Sequence, residues 1–456
     1  MERASAATSK YDLHEQYLNH QMVRVLRTIG FDVDFQRGSG PHLYDAKGDK
    51  YLDLLSGFGV FALGRNHPKI IAALADALHS ELPGLVQMDV SHSAGLLGRE
   101  LLRRMPAMEK IFFCNSGAEA VESAIKFARA ATGKPTILHW SHAFHGLTYG
   151  ALSLNGDAIF RKGFEPLLPA TKELPFNDLF ALEAALREGD VAAFIFEPVQ
   201  GKGVNIPSAE FVAGAAQLCK KYGALLIADE VQTGLGRTGK FLAIEHWGIE
   251  PDMILLAKSL SGGFVPVGAV AMKKWIFAKT FDRMDKAMVH GSTFGKNELA
   301  MAAGLATLRV MDEENIVSKT AQAGERLLAG LRQATQGMEL VKDVRGLGLM
   351  IGIEFGRPEK FMLRAAWDLL EKAGRGLFCQ LVIVPLFKHH KILVQVAGND
   401  STVIKLLPSL VIDETDEKWI TDSFSAAIAD THRVPGAVWD FGRQLAANMV
   451  KTRMTA

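Results

Sequence analysis

Cysteine is scarce in this chain: of its 456 residues three are cysteine, at Cys114, Cys219 and Cys379. Three scattered cysteines cannot form a disulfide framework, and they lack the paired spacing of a zinc site. We therefore expect free thiols and a reducing, cytoplasmic location. Cys114 follows an apolar run, which favours a packed small side chain over a nucleophile.

Charge of one sign and long apolar runs are lacking as well. The chain has 51 Lys and Arg against 50 Asp and Glu, a formal net charge of +1, so no global positive field favours nucleic acid as a partner. Gly or charge interrupts each apolar run before the roughly 20 residues that a membrane span requires. The N-terminal region contains Glu2, Asp12 and Glu15 and no apolar stretch typical of a signal peptide. We expect an intracellular protein without a membrane span.

The length of 456 residues is enough for roughly two to three domains. The composition, with 48% hydrophobic and 22% charged residues, is typical of globular proteins and excludes disordered, collagen-like and coiled-coil structures. Between residues 71 and 315, short apolar runs alternate with amphipathic stretches. This alternation predicts an α/β domain with a mainly parallel sheet and helices on both faces. The predicted strands are 110–114, 136–140, 191–196, 224–228, 253–257 and 267–272.

The two ends of the chain show a different pattern. Residues 1–70 contain a predicted hairpin, and residues 316–456 contain long helical periods and two further strands. We interpret them as the N-terminal and C-terminal parts of one smaller α+β domain, packed on the α/β domain of residues 71–315. The predicted elements are the hairpin strands 42–45 and 50–55, the helices 318–335 and 362–373, and the strands 350–354 and 392–396.

The clearest predicted helix is the segment 118–132. Apolar residues recur there at i, i+3, i+4 and i+7 from Val121. Glu122 and Lys126 lie outside this apolar stripe at the i, i+4 spacing, so we expect them to form an ion pair. Because the helix follows a predicted strand through a turn of small residues, the sequence predicts a strand–turn–helix unit.

The start of this helix is a candidate phosphate site. Ser116, Gly117 and Ala118 place unpaired backbone N–H groups at the helix N-terminus, where the helix dipole also favours an anion. An ordinary serine N-cap would have the same local sequence, so the turn alone does not distinguish the two interpretations.

Two charged residues follow neighbouring predicted strands. Strand 224–228 is followed by Asp229 and strand 253–257 by Lys258, and ligands of open α/β sheets bind beyond the carboxyl ends of the strands. A lysine at this place can be desolvated enough to lose its proton and attack a carbonyl. Each residue alone would also suit an acidic loop or a surface lysine. A carboxylate, a Schiff-base lysine and a phosphate cradle at one sheet edge together match the requirements of pyridoxal 5'-phosphate.

The sequence resembles the class III aminotransferases of the ornithine, putrescine and ω-amino acid type over nearly its whole length. The resemblance implies the type I fold of pyridoxal-phosphate-dependent transferases. That fold has a large domain on a mainly parallel sheet of the seven-stranded type and a smaller α+β domain made of both termini. The ordered blocks that carry the resemblance are 115–120, 144–146, 197–201, 229–234, Lys258 and 293–295.

The resemblance also implies roles for individual residues. Lys258 would form the Schiff base with the cofactor, and Asp229 would pair with its pyridine nitrogen. Thr293 would reach the phosphate in the neighbouring subunit, so a homodimer would complete each site. The other implied cofactor contacts are Ser116, Gly117 and Ala118 at the phosphate, Phe144 stacked on the ring, Gln232 at the ring oxygen, and His145 and Glu197.

The activity that the resemblance implies is a ping-pong transamination between a small-molecule amine and a keto acid. Asp229 would keep the pyridine nitrogen protonated, which makes the ring an electron sink, and Lys258 would shuttle the proton between the substrate Cα and the cofactor. A racemase, mutase or decarboxylase on the same fold needs the same cofactor residues, so these alternatives stay open.

The residues expected to contact substrate depart from the family pattern. Leu147 stands where ornithine-type members have an arginine that holds a carboxylate, and Phe58 where many have a tyrosine. Lys202 and Lys405 stand where relatives carry a glutamate and an arginine that control recognition of glutamate. We therefore expect an amine or aldehyde without an α-carboxylate, either a diamine such as putrescine or a lipid-like or polyketide-like aldehyde as in hopanoid tailoring.

The expected keto acid partner is 2-oxoglutarate or pyruvate, with glutamate or alanine as the corresponding amino acid. Ornithine or acetylornithine aminotransferase activity is the alternative, because either lysine could accept a carboxylate as a point charge.

Other kinds of site are less compatible with the sequence. Segment 234–239 matches G-x-G-x-x-G after a strand, but two carboxylates precede it and little room follows for the helix of a dinucleotide fold. His139, His142 and His145 lie on a strand-to-loop segment where their spacing does not converge, so no metal is expected. A non-catalytic scaffold is disfavoured because both Lys258 and Asp229 are present.

Overall fold

The structure, a computed structural model, describes residues 9–86, 88–398, 401–436, 439–440 and 442–443. Its strands are β1 (Phe35–Ser39), β2 (His42–Asp45), β3 (Lys50–Asp53), β4 (Lys110–Cys114), β5 (Thr136–Trp140), β6 (Thr171–Leu174), β7 (Val191–Phe196), β8 (Leu225–Asp229), β9 (Met253–Leu256), β10 (Gly268–Met272), β11 (Val341–Leu347), β12 (Met350–Phe355), β13 (Ile392–Leu393), β14 (Gln395–Val396) and β15 (Val403–Leu406).

Helices connect and cover these strands, and short 3₁₀ helices lie at Ala243–Trp247, Lys258–Ser261 and Met284–Lys286. The α-helices are α1 (Lys10–Tyr17), α2 (His20–Ile29), α3 (Ser56–Gly59), α4 (Pro68–His79), α5 (His92–Arg104), α6 (Gly117–Thr132), α7 (Tyr149–Leu152), α8 (Ala158–Arg161), α9 (Leu179–Leu186), α10 (Ala209–Tyr222), α11 (Lys274–Thr280), α12 (Glu298–Glu313), α13 (Ile316–Ala334), α14 (Phe361–Ala373), α15 (Leu377–His390) and α16 (Glu414–Thr431).

The largest sheet, here called the central sheet, has seven strands in the order β4-β10-β9-β8-β7-β5-β6. They run in one direction except β10, which is antiparallel to β4 and to β9. The mainly parallel sheet of the seven-stranded type is thus confirmed, with each predicted strand present. The sequence does not predict β6, because this edge strand exposes Lys172 and Glu173 and has no apolar run.

Both faces of the central sheet are covered. Along β7, Phe194 and Phe196 point to one face and pack against Trp140, and Phe194 also contacts Phe211 of α10. Ile195 points to the opposite face, into the apolar layer beneath α6. Burial on both sides explains the continuous apolar runs in the sequence, and it leaves the strand ends as the place for polar side chains.

Outside the central sheet, the N-terminal and C-terminal regions form two smaller sheets of four strands each. The N-terminal sheet, β1-β2-β3-β13, contains the predicted hairpin and takes its last strand from the C-terminal region, where Ile392 pairs with Leu52. The C-terminal sheet has the order β11-β12-β15-β14. β3 is shorter than predicted because Asp53 Oδ1 accepts the N–H groups of Leu55 and Ser56, at 2.9 Å each, and so turns the chain.

The C-terminal region differs most from the prediction. The segment 392–396, predicted as one strand, divides into β13 and β14, which belong to different small sheets. The sequence also does not predict α15, because this helix is buried on most sides and lacks the polar face of a surface helix. In the part of the chain that the structure describes, no helix is long and apolar enough to cross a membrane.

Candidate active site

One cavity of about 920 Å³ lies beyond the carboxyl ends of β8 and β9, the place where open α/β sheets bind ligands. The structure brings most of the predicted site residues together around it. They are Phe58, Ser116, Gly117, Ala118, Phe144, His145, Leu147, Glu197, Lys202, Asp229, Gln232, Lys258 and Lys405.

Asp229, the last residue of β8, forms a buried pair with His145. Asp229 Oδ2 lies 2.6 Å from Nδ1 of His145, and Oδ1 accepts the N–H of Val231 at 3.0 Å. Burial alone lowers the pKa of His145, but the hydrogen bond to Asp229 and the negative charges of Asp229 and Glu197 raise it overall. Nε2 of this imidazole is buried without a partner in the described part of the chain. The cavity wall therefore holds a carboxylate backed by an imidazole that favours the protonated state.

Lys258 begins the 3₁₀ helix Lys258–Ser261 just after β9, with its backbone in the left-handed region at φ +46°. Burial lowers the pKa of its ε-amino group, against the opposing effect of the negative charges of Asp229 and Glu197. A lower pKa increases the fraction of neutral amine, which is the form that attacks a carbonyl. The side chain thus has the electrostatic environment of a nucleophilic lysine.

The N-terminus of α6 borders the same cavity. Ser116 is its N-cap and accepts the N–H of Glu119 at 3.1 Å through Oγ, and the first turn of a helix offers further unpaired N–H groups to a ligand. A Cβ on Gly117 would lie 2.8 Å from Cγ1 of Val231. Glycine is therefore required for this close approach, and the predicted strand–turn–helix unit is confirmed.

Cys114, just before this turn, is a packed side chain. It is buried, and its Sγ lies 3.4 Å from the carbonyl O of Ser116. Burial raises the pKa of the thiol to about 12, so the nucleophilic thiolate is not formed near neutral pH. The other two cysteines are also free and buried.

Glu197 fixes two loops beside the cavity. Its Oε1 accepts the N–H of Phe144 at 2.9 Å, and its Oε2 accepts the N–H of Gly201 at 2.7 Å. Burial raises the pKa of this carboxyl. The ring of Phe144 stands edge-on to Phe160, with 5.5 Å between the centroids. Glu197 thus acts on the cavity by holding the backbone of Phe144.

Gln232 joins Phe58 on the rim to Lys405 in the wall. Its Nε2 donates to the carbonyl O of Phe58 at 3.0 Å, and its Oε1 accepts from Lys405 Nζ at 3.1 Å. Lys405 Nζ also donates to the carbonyl O of Gly201 at 2.7 Å. Burial, together with the positive charge of Lys258, lowers the pKa of Lys405 to about 7. Both side chains are thus engaged with the protein itself.

The mouth of the cavity is apolar. Phe58 and Leu147 are 54% and 59% exposed and line the mouth together with Phe160 and Phe264. Among the described residues that line the cavity there is no arginine. Its lysines are Lys202, Lys258 and Lys405.

Thr293 does not lie at this cavity. It is exposed and borders a second cavity of about 1180 Å³. The preceding residue, Ser292, accepts a hydrogen bond at 2.7 Å from Nδ2 of Asn115, so this segment packs behind the turn that leads into α6. Within one chain, Thr293 and Lys258 therefore belong to different cavities.

Asn155 is a site residue that the sequence does not reveal. It is fully buried. Its Oδ1 accepts the N–H of His145 at 2.7 Å, and its Nδ2 donates to the carbonyl O of Gly146 at 2.8 Å. In the sequence, Asn155 stands out only as a single asparagine after a mainly apolar segment. This pattern does not indicate a partner ten residues earlier in the chain.

The expected ion pair between Glu122 and Lys126 is wrong. Glu122 Oε1 instead accepts the Thr148 hydroxyl at 2.6 Å and two backbone N–H groups nearby. Lys126 Nζ lies 2.9 Å from Nδ1 of His290. Tertiary partners have replaced the local pair, and Glu122 thereby fixes the segment that follows Leu147.

Segment 234–239 has a structural role in this fold. Arg237 is fully buried, and its Nη1 donates to the carbonyl O atoms of Leu349 and Pro408. A short 3₁₀ helix, Ala243–Trp247, follows in place of the long helix of a dinucleotide-binding unit. The loop therefore connects the central sheet to the C-terminal region.

The three neighbouring histidines have separate environments, and His142 is exposed. His139 is buried in β5 with Nδ1 3.2 Å from the carbonyl O of Trp140, and burial lowers its pKa to about 3. His145 pairs with Asp229 instead. Within the described ranges, no group of three or more His, Cys, Asp or Glu residues could hold a metal ion.

The residues present fit pyridoxal 5'-phosphate. The N-terminus of α6 suits a phosphate, Asp229 offers a buried carboxylate with His145 behind it, and Lys258 has a lowered pKa in the same cavity. Fold and site together define a pyridoxal-phosphate-dependent transferase of the type I fold.

Comparison with known families identifies the group within this class. The family described as aminotransferase class-III matches residues 27–428. The chain belongs to the class-III aminotransferases, a family of pyridoxal-phosphate-dependent transaminases.

Individual relatives agree with this membership. Aminotransferase PigE of Serratia sp. (strain ATCC 39006) is 34% identical over 451 residues, which cover 92% of this chain and 52% of that protein. The chain thus spans about half the length of this curated relative. The ornithine aminotransferase of Toxoplasma gondii is 28% identical, with a TM-score of 0.79 over 93% of this chain and 99% of that chain. An omega transaminase of Pseudomonas jessenii, solved in complex with PMP, is 26% identical, with a TM-score of 0.80 over 93% and 98%.

Proposed function

We propose that this chain transfers an amino group between a keto acid and a primary amine, or the matching aldehyde, that lacks an α-carboxylate. The amine is a diamine such as putrescine, or the aldehyde is lipid-like or polyketide-like. The keto acid is 2-oxoglutarate or pyruvate. The observation that carries the proposal is the mouth formed by Phe58 and Leu147, with no arginine among the described residues that line the cavity.

The energetics of the mouth support this substrate class. A carboxylate packed against Phe58 and Leu147 would give up part of its hydration without gaining a two-point partner, which costs free energy. An alkyl chain at the same place gains about 25 cal/mol for each Å² of apolar area removed from water. Both effects favour an apolar amine over an amino acid at this position.

The site residues have distinct roles in such a transfer. Pyridoxal 5'-phosphate, when bound, supplies the carbonyl group that accepts the amino group and a ring that takes up negative charge from the substrate Cα. Asp229, with His145 behind it, would hold a proton at the pyridine nitrogen. Lys258 Nζ, which burial shifts toward its neutral form, would take the proton from the substrate Cα and deliver it to the cofactor carbon that receives the amino group. The backbone N–H groups of α6 would hold the phosphate.

A donor profile of the purified, cofactor-loaded enzyme tests the proposal. Putrescine, ornithine, 4-aminobutyrate and a long-chain amine are each offered with 2-oxoglutarate or pyruvate, and the glutamate or alanine formed is measured. We expect the highest kcat/KM for an amine without an α-carboxylate. A preference for ornithine or acetylornithine would identify the alternative, an ornithine-type enzyme. Absence of transfer to either keto acid would point to a racemase, mutase or decarboxylase.

We also propose a cytoplasmic homodimer in which Thr293 of each subunit reaches the phosphate of the neighbouring site. The exposed position of Thr293 supports this arrangement, as do the exposed apolar side chains of Met284, Met288 and Phe294 close to it in the chain. The free, buried cysteines are consistent with a reducing compartment. The oligomeric part of the proposal is tested by the subunit-mixing experiment in the Discussion.

A further inference from the structure

Both substrates of a transaminase use one cavity in turn, so an apolar amine and a keto acid must bind at the same walls. The keto acid carries a carboxylate, which requires a cation once it leaves water. The described residues of the cavity offer Lys202, Lys258 and Lys405. Since Lys258 serves the reacting carbon and the imidazole of His145 is already paired with Asp229, Lys202 and Lys405 are left as partners for the carboxylate.

Lys405 is held by the protein itself. Its Nζ donates to the carbonyl O of Gly201 at 2.7 Å and to Oε1 of Gln232 at 3.1 Å, and the residue is 4% exposed. An ammonium group has three N–H donors, so a carboxylate there could take the third, but Lys405 Nζ cannot move toward it without weakening two buried hydrogen bonds. Lys405 therefore acts as a support for the turn after Gly201.

Lys202 is on that turn and is held much less. Its Nζ lies 4.5 Å from the ring centroid of Phe160 and 5.5 Å from that of Phe144, a cation–π arrangement. Burial lowers its pKa overall, against the opposing effect of the negative charges of Asp157 and Glu197. The turn beneath it is fixed, because Glu197 accepts the N–H of Gly201 at 2.7 Å. Lys202 thus combines a flexible side chain with a fixed backbone.

We propose that Lys202 is the residue that pairs with the carboxylate of the keto acid and of the amino acid derived from it, whereas Lys405 only supports its turn. This inference rests on the proposed function. When an apolar amine occupies the mouth, the ammonium group stays over Phe160, and when a keto acid binds, it moves from the ring to the carboxylate. A lysine with a flexible four-carbon stem suits both states better than a rigid arginine fork.

The same residue does not make ornithine a good substrate. When ornithine reacts through its terminal amine, its α-ammonium group stays free beside the carboxylate, and this positive charge opposes that of Lys202. A keto acid has no such group, and in the amino acid derived from it the α-amino group is the one that is transferred. Lys202 therefore disfavours a carboxylate with a free ammonium group beside it, although no arginine is among the described residues that line the cavity.

Calorimetric binding of glutarate to the cofactor-loaded enzyme tests the role of Lys202. Glutarate has two carboxylates but lacks the keto group of 2-oxoglutarate, so it binds without reacting. We expect Lys202→Met to raise the dissociation constant of glutarate by about tenfold or more, as for loss of a charge-assisted contact. Lys202→Arg should keep the affinity within about threefold of the wild type. The control is Lys162→Met, which removes the same charge from an exposed site two residues after Phe160 and should leave the dissociation constant unchanged.

Single-turnover absorbance changes with octylamine and with pyruvate form the second arm. Lys202→Met should lower the kcat/KM of the pyruvate half-reaction much more than that of the octylamine half-reaction. The inference would be overturned if Lys202→Met bound glutarate as tightly as the wild type. It would also be overturned if, of the two variants, only a folded Lys405→Met lost affinity for glutarate. If the wild type reacts with neither octylamine nor putrescine, the proposed substrate class fails, and the glutarate result still decides whether Lys202 binds a carboxylate.

Discussion

At the scale of single residues, the site depends on pairs that lie far apart in the sequence. Asp229 and Lys258 could be predicted, because each follows a buried apolar strand and strand ends of one sheet lie at a common edge. The 2.6 Å contact of Asp229 with His145 joins residues 84 positions apart and could not be predicted from the sequence. The hydrogen bond from His145 to Asn155 could not be predicted either, since local patterns carry no information on which loops meet.

Asp229→Asn should retain the cofactor and lose most of its activity. A neutral amide cannot hold the proton at the pyridine nitrogen, so negative charge at the substrate Cα is no longer stabilised. We expect kcat to fall well beyond about tenfold, which corresponds to roughly 1.4 kcal/mol in the barrier. Steady-state kinetics and the visible absorbance of bound cofactor measure the two effects. A fall smaller than tenfold would contradict the assigned role.

His145 should make the stability of the cofactor-free protein dependent on pH. Burial opposes the protonated state, but the hydrogen bond to Asp229 raises the pKa of His145 above its ordinary value of 6.5. Its contribution is then fully present below the pKa of the unfolded state and is lost as the pH rises through the higher folded pKa. We expect the thermal midpoint of the wild type to fall over that interval and His145→Gln to show a smaller fall. An identical pH profile for both proteins would refute this electrostatic account.

At the scale of elements, prediction succeeded where burial leaves a simple pattern. β7 and β8 are covered on both faces and show as continuous apolar runs, and α6 has a regular apolar stripe. β6 exposes polar side chains at the sheet edge, and α15 has no polar face, so neither pattern is visible in the sequence. The division of 392–396 between two sheets results from tertiary pairing alone.

Close packing between β10 and the α6 turn gives a test at this scale. A Cβ on Gly268, the first residue of β10, would lie 2.3 Å from the carbonyl O of Ser116 and 2.8 Å from Sγ of Cys114. Gly268→Ala should therefore displace the turn, lower the free energy of unfolding by about 1–3 kcal/mol and weaken cofactor binding. Urea unfolding and cofactor titration measure these effects.

Gly95→Ala is the matched control, because Gly95 lies in α5 and a Cβ there would meet no atom within 4 Å. The added methyl group should stabilise the helix by about 0.5–1 kcal/mol. Unchanged cofactor binding in Gly268→Ala would show that the turn does not depend on this packing.

At the scale of the whole molecule, the cavity draws on distant parts of the chain. Phe58 comes from the N-terminal region, Asp229 and Lys258 from the central sheet, and Lys405 from β15 of the C-terminal sheet. We propose the domain division 1–70, 71–315 and 316–456, supported by the pairing of β13 with β3. The class of enzyme could be predicted from the sequence blocks, whereas the separate positions of Lys202 and Lys405 required the structure.

The proposed dimer predicts complementation between two inactive variants. Lys258→Ala removes the reacting amine, and Thr293→Asp places a negative charge where the neighbouring phosphate is proposed to bind. Each variant alone should be nearly inactive. In a hybrid dimer, one site combines an intact Lys258 with an intact Thr293, so random mixing should restore activity to about one quarter of the sites. Absence of recovery in a mixture that gel filtration shows to be exchanged would contradict the shared site.

The central claim, that the cavity selects amines without an α-carboxylate, is tested most directly by one ratio. This is kcat/KM for octylamine or putrescine divided by kcat/KM for ornithine, measured in the wild type and in Leu147→Arg. We predict a wild-type ratio above about ten, equivalent to roughly 1.4 kcal/mol, for the better of the two amines. Because the introduced arginine can hold a carboxylate at two points, the ratio should fall in Leu147→Arg. A wild-type ratio near one for both amines would contradict the claim.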